Sequence, residues 1–259
     1  MAEKPCGSAD ESIVESRKDL TQARMNSGFG GTESGRTTGV LLLLAAIGTV
    51  ACSVLGRFAL GLSEDSGTMS FAAYQRHPFP IFLTYAVGMI AGLLFILAAP
   101  LLARSFAESP RLRIAATCQA LAGLVLALSA SRWLIVLPFL KKQYDNPLAS
   151  SATRAAIEVN YESISYFLGI TLGEHLFAIL TGVWILILSF HILRLPGEKS
   201  WQSWIGIVAG FGWLLGSLEQ LDFSLSSDFL VFLGAGPIIW VIWTAFLARQ
   251  LTRRTYRSR

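Results

Sequence analysis

FPIFLTYAVGMIAGLLFILAAPLLA, the run from Phe79 to Ala103, carries no charged side chain from end to end. The hydrocarbon core of a bilayer is about 30 Å thick, and a helix needs about 20 apolar residues to cross it. This run is long enough to do so and too long for an ordinary core helix. Five more apolar stretches lie on either side of it. One precedes it, about Thr38 to Leu60, and contains GVLLLLAAIGTVACSVLG. Four follow: about Leu112 to Leu137, Ile164 to Ile192, Trp201 to Leu218 and Phe229 to Leu247. The expected fold class is therefore all-α, a polytopic transmembrane helical bundle with six spans. It occupies residues 38–248, between a disordered cytoplasmic tail (1–37) and a basic cytoplasmic tail (249–259).

The composition agrees. Of 259 residues, 53% are hydrophobic and only 15% charged, and the mean hydropathy is +0.54. A soluble domain needs more polar surface than that. The first 37 residues are polar and contain no apolar run followed by a small-residue cleavage site, so the first apolar stretch reads as a retained span. NSGFGGTESGRTTG, within the tail, has no periodicity and lacks the Lys-Ser ending of a phosphate loop. Cys6 is in the tail, while Cys52 and Cys118 fall inside spans. Their spacing fits neither a metal motif nor a disulfide framework, and the inner two read as small packing residues.

The net charge is +4 and the pI about 9.1. The bases cluster at span ends, where anionic lipid and topology account for them, and no nucleic-acid recognition pattern is present. With the N-terminal tail inside, fifteen Lys and Arg fall on the cytoplasmic side, including Arg104, Arg111, Arg113, Arg194 and the terminal RQLTRRTYRSR. Six remain outside: Arg57, Arg76, Arg132, Lys141, Lys142 and Arg154. The positive-inside rule thus puts both termini in the cytoplasm, which agrees with an even number of spans. The two long connectors, Ser63 to Pro78 and Pro138 to about Ser163, then face outward. Ser151 to Tyr161 reads as a short helix capped by Ser150 or Ser151. Trp133, Trp201 and Trp204 fit an interfacial aromatic belt, and Trp184, Trp240 and Trp243 pack deeper, against lipid or a neighbouring helix.

Gly88/Gly92, Gly169/Gly173, Gly206/Gly210 and Gly212/Gly216 have GxxxG spacing, which lets helix backbones approach closely. Pro100 and Pro237 are expected to end or bend their helices. Charged groups inside spans are costly and face a bundle interior, a cavity or the headgroups. Arg57, Arg132, Glu174, His175 and Glu219 are of this kind, and the topology puts all five in the outer half of the membrane. In one reading Glu174 pairs with Arg132 or Arg57, and His175 bonds a neighbour or water. In the other they line an outward-opening pocket, with arginine holding an anion and His175 carrying protons. On an α-helix Glu174 shares a side with Ile170, Phe177 and Thr181, and His175 shares the next with Thr171 and Ala178. That division makes the pair a poor chelate; His77 and His191 lie too far off to complete a zinc site. No cofactor is expected, and no G-x-S-x-G elbow is present.

WIGIVAGFGWLLGSLEQLDF, Trp204 to Phe223, and GEHLFAILTGVWILILSFHILRLPG, Gly173 to Gly197, complete the pattern. The layout from Thr38 to Leu251 resembles a broad group of bacterial six-span membrane proteins catalogued as a domain of unknown function. In that group the fourth span ends in a short basic, proline-containing turn, and a glycine-rich fifth span follows. The resemblance implies a bacterial inner membrane and supplies no catalytic residues. Three function classes remain. The leading one is a non-enzymatic membrane protein, a sensor or a partner of another membrane component, with the lipid bilayer and a homo-oligomer or another membrane protein as its partners. A small-molecule or proton-coupled permease is the second, and a lipid-modifying membrane enzyme the third.

Overall fold

A computed structural model describes residues 31–56, 67–105, 109–195, 200–217 and 227–257. Every element among the described residues is helical. The chain opens with α1 (Gly31–Val54), α2 (Gly67–Arg76) and α3 (Pro78–Ser105). A continuous helix then runs through α4 (Pro110–Ser131), a π-helical turn π1 (Arg132–Val136) and α5 (Leu137–Tyr144). A second continuous helix comprises α6 (Ser151–Ser165), the π-helical π2 (Tyr166–Leu176) and α7 (Phe177–Leu193). The last two are α8 (Ser200–Gly216) and α9 (Ser227–Arg257).

Local sequence sets several of these ends. Ser109 caps α4 by accepting the Leu112 N–H at 3.4 Å, and Pro110 occupies the first turn, where no N–H is needed. Ser150 caps α6, its hydroxyl accepting from the Thr153 N–H at 3.1 Å. The short helix expected over Ser151 to Tyr161 is thus real and runs on without a break into the membrane-crossing part. α1 begins at Gly31, so the last residues of the stretch read as a tail are helical. Likewise α9 continues to Arg257. Adding residues to a formed helix is easy compared with nucleating one.

Among the described residues four helical stretches are long and apolar enough to cross a membrane: Gly35–Val54, Pro78–Ser105, Pro110–Tyr144 and Ser151–Leu193. The last two are 35 and 43 residues long, well beyond the about 20 that a crossing needs. Pro100 and Pro237 both lie inside continuous helices and end neither. Membrane helices tolerate proline because neighbouring groups take up the freed carbonyls. One residue before the carbonyl that Pro100 leaves without a helix donor, that of Ile96, the Gln119 side chain of α4 donates to the Phe95 carbonyl at 3.0 Å.

The long helices pack in chain order: α1 on α3, α3 on α4, α4 on α7 and π2, α7 on α8, and α8 on α9. α9 returns to pack on α1, closing the ring. Inside it are Leu42 and Ala45 of α1, Phe95 of α3, Ala122 of α4, Trp184 and Leu188 of α7, Ala209 of α8, and Trp240 and Trp243 of α9. The three deep tryptophans are thus interior. Lipid tails are as apolar as leucine, so such an interior is held by close packing more than by escape from water. The aromatic contacts are direct: Phe95 stacks on Trp240 at 5.7 Å, and Trp213 meets Trp240 edge-on at 5.4 Å.

A second, smaller core joins Phe71 of α2, Ile81 of α3, Trp133 of π1, Leu137 and Leu140 of α5, and Ile157 and Tyr161 of α6. Phe71 is its hub, 5.2 Å from the Tyr161 ring and 5.1 Å from that of Tyr144. The connectors on this side therefore fold into a helical cap. Trp133 corrects the aromatic-belt expectation. It is 2% exposed and stacks on Tyr85 at 4.7 Å, inside the protein. Trp201 and Trp204 are exposed, as a belt requires.

Candidate functional site

The two π-helical segments meet at one polar layer. π1 has a cause in the sequence. Pro138 has no N–H to offer the Leu134 carbonyl, and its ring crowds that carbonyl. The turn widens instead: the Leu137 N–H bonds the Arg132 carbonyl five residues back. This widened turn begins with Arg132.

Arg132 is 3% exposed, and one of its terminal N–H groups donates to the Ser165 carbonyl at 2.8 Å. Room for it comes from Gly169: a Cβ there would fall on the guanidinium nitrogen, with Cζ 2.6 Å away. One turn further on, a Cβ at Gly173 would fall on the Ser129 hydroxyl, with the Ser129 Cβ at 2.8 Å. Gly169 and Gly173 are therefore where π2 crosses α4. Glu174 and His175 follow directly and are half-buried. All four lie within π2, where bonds span five residues, as in the cap of Phe177 on the Leu172 carbonyl. The wider turn changes which residues four or five positions off share a side with Glu174 or His175, but adjacent residues still point well apart.

The structure thus places Arg132, Gly169, Gly173, Glu174 and His175 on two adjoining elements. Arg57 and Glu219 lie outside the described residues. The other paired glycines serve other crossings. A Cβ at Gly88 would be 2.7 Å from Cys52 Sγ, and one at Gly92 would be 2.5 Å from the Gly123 carbonyl. Gly206 abuts Ser189 and Trp243, Gly210 faces Leu186 at 2.7 Å, and Gly212 faces Gly236 at 3.5 Å. A Cβ at Gly216 would meet no heavy atom within 4 Å.

Sequence reasoning missed several buried polar groups, Gln119 and Lys141 among them. Gln119, 0% exposed, is an uncharged amide in the middle of an apolar span, so a search for charges passes over it. Lys141 is buried in the cap and ion-paired with Asp145 one turn on. The spacing of the pair, four residues apart, was the available signal. Nearby, the Tyr144 hydroxyl is hydrogen-bonded to Glu158. That bond, then desolvation and the Glu158 charge, push its pKa above the ordinary tyrosine value.

Chemically the layer offers a guanidinium, together with a carboxylate, an imidazole and hydroxyls. Among the described residues no group of three His, Cys, Asp or Glu could hold a metal ion. Cys52 and Cys118 are free thiols.

These features define an all-α, multi-span membrane protein with a polar layer built into its helices. The chain belongs to the family described as Domain of unknown function (DUF4386), whose sequence pattern matches residues 37–248. No curated protein and no solved structure matches it.

Proposed function

We propose that the chain is a six-span, non-enzymatic protein of the bacterial cytoplasmic membrane. Both termini lie in the cytoplasm, and a polar ligand site opens to the outer face between α4 and π2. The observation that carries the site is the burial of Arg132, 3% exposed within a membrane-crossing helix. An ionised side chain at that depth is costly and is kept where it binds or pairs. The π-helical widening on both sides of it is a feature that concentrates at functional positions. Arg132 supplies the donors, Glu174 the counter-charge, and the ligand is a small molecule with an anionic group.

α8, with 17 residues, and α9, with 31, are the fifth and sixth spans of the closed ring. Gly39 of α1 lies so close to Ala248 of α9 that an added Cβ would be 2.8 Å from the Ala248 Cα. That contact supports termini on one side, and the excess of Lys and Arg supports the cytoplasm as that side. Binding is preferred over transport because Phe95, Trp184 and Trp240 fill the middle of the ring, where a permease needs a path.

The test heats the purified protein in lipid nanodiscs with and without acetate, phosphate, sulfate and amino acids. A ligand that binds the native state raises the melting temperature. At least one anionic compound should do so for the natural chain and fail for Arg132→Gln. If none does, while Arg132→Gln and Glu174→Gln each prevent folding, the layer is a structural ion pair and the site reading fails.

A further inference from the structure

The polar layer is shut in this structure. Arg132 and Ser165 are both buried, and so is Trp133, whose ring centre is 5.2 Å from the Arg132 Cζ. The cap covers the layer. Tyr161 lies one turn before Ser165 on α6, about 6 Å along the axis on the cap side. Phe71 of α2 closes on the Tyr161 ring at 5.2 Å. Phe71, Trp133 and Tyr161 belong to one buried cluster, so the cap core and the wall of the layer are continuous.

The pieces of the cap are not held alike. α5 and α6 are continuous with stretches that cross the membrane, and the start of α3 is part of one. None of these swings out without breaking a run of backbone hydrogen bonds. α2 is the exception among the described residues. It ends at Arg76, His77 is not helical, and Pro78 opens α3. A residue before proline is disfavoured in the helical region, so the break at His77 has a cause in the sequence. The Ile81 N–H bonds the His77 carbonyl at 3.1 Å, which ties the break to α3 and leaves the α2 side to turn. Of the described side chains of α2 only Phe71 is buried. Tyr74 is half-buried beside it, while Ala72, Gln75 and Arg76 are exposed. We propose that α2 is a hinged lid over the polar layer, latched by Phe71 against Tyr144 and Tyr161. With Phe71 withdrawn, water and small solutes reach Ser165 and Arg132 from the cap side. What the lid admits rests on the anion-site reading above; the lid itself is tested without any ligand.

Thiol labelling in nanodiscs is the test. Ser165→Cys puts a reporter beside Arg132, and Thr181→Cys puts one at a buried position of α7, away from the cap. Each is made in a chain whose Cys6, Cys52 and Cys118 are replaced by alanine. A membrane-impermeant thiosulfonate reacts with a buried thiol only while it is open to water, so the rate follows the open population. The Ser165→Cys thiol should react slowly while Phe71 is in place. Phe71→Ala should raise that rate about 10- to 100-fold, which is what the burial of one phenylalanine is worth. The Thr181→Cys rate should not change. If Phe71→Ala does not fold, Phe71→Leu, which keeps part of the contact, should give a smaller rise at Ser165→Cys. Rapid labelling of Ser165→Cys with Phe71 in place, a rate indifferent to residue 71, or an equal rise at Thr181→Cys overturns the lid. Anion binding is read separately from the melting temperature. Gated labelling with no melting shift from any anion would sink the anion site and keep the lid.

Discussion

A methyl group added at Gly169 would land on the Arg132 guanidinium, whereas one added at Gly216 would meet no atom within 4 Å. Arg132 cannot simply retreat, because it is buried and bonded to the Ser165 carbonyl. Gly169→Ala should therefore lower stability by about 1–3 kcal/mol, the usual penalty of overpacking. Gly216→Ala should be neutral or raise it by up to ~1 kcal/mol, since alanine favours helix. Thermal unfolding in a fixed detergent compares the two. In the cap, the raised pKa of Tyr144 gives a pH dependence of known sign. The folded state favours the protonated phenol, so its contribution is complete below about pH 10, the ordinary tyrosine value, and is lost as pH rises through the raised one. Ultraviolet titration should find Tyr144 ionising late, and Glu158→Ala should bring it back towards the ordinary value by removing both the hydrogen bond and the charge.

At the scale of elements, π1 is the consequence of a single residue. Pro138 withholds a donor from the Leu134 carbonyl, and the helix answers by bonding Leu137 to Arg132 instead. Pro138→Ala restores the donor and allows ordinary α-helical bonding, which turns Arg132 relative to Gly169. The effects of Pro138→Ala and Gly169→Ala should then fail to add, with a coupling of about 0.5 kcal/mol or more in a double-mutant cycle. Additivity would show that π1 does not aim Arg132. The glycine spacing showed that α3, π2 and α8 have smooth faces available. It did not show which residue fills the smooth face, because GxxxG marks one helix and is silent about its partner. Gly92 makes the same point: its partner is Gly123, which has no glycine four residues away.

For the whole molecule, the ring places the first and last long helices side by side, with Gly39 against Ala248. Gly39→Leu should push α9 off α1 and destabilise the bundle by about 1–3 kcal/mol, as overpacking does. The topology is read separately with reporters. Green fluorescent protein at the C-terminus should fluoresce, and alkaline phosphatase inserted at the turn Asn146 to Ser150 should be active. The reverse pattern would put the termini outside and the polar site facing the cytoplasm.

Hydropathy, length and the uneven distribution of Lys and Arg determined that this chain is a helical, multi-span membrane protein, and set an expected depth for its charged residues. These are properties of single segments against a slab of lipid, and each segment carries its own information. Tertiary structure decided the rest. That Arg132 lies on Gly169 and reaches the Ser165 carbonyl is a fact about two helices in contact. That Trp133 is interior and the connectors form a cap depends on Phe71, Ile157 and Tyr161 arriving from distant parts of the chain. That Glu174 and His175 belong to a π-helix follows from bonding that no α-helical wheel contains. The bilayer imposes its demands on each span alone, but the fit between spans is made by packing, and packing is a property of pairs.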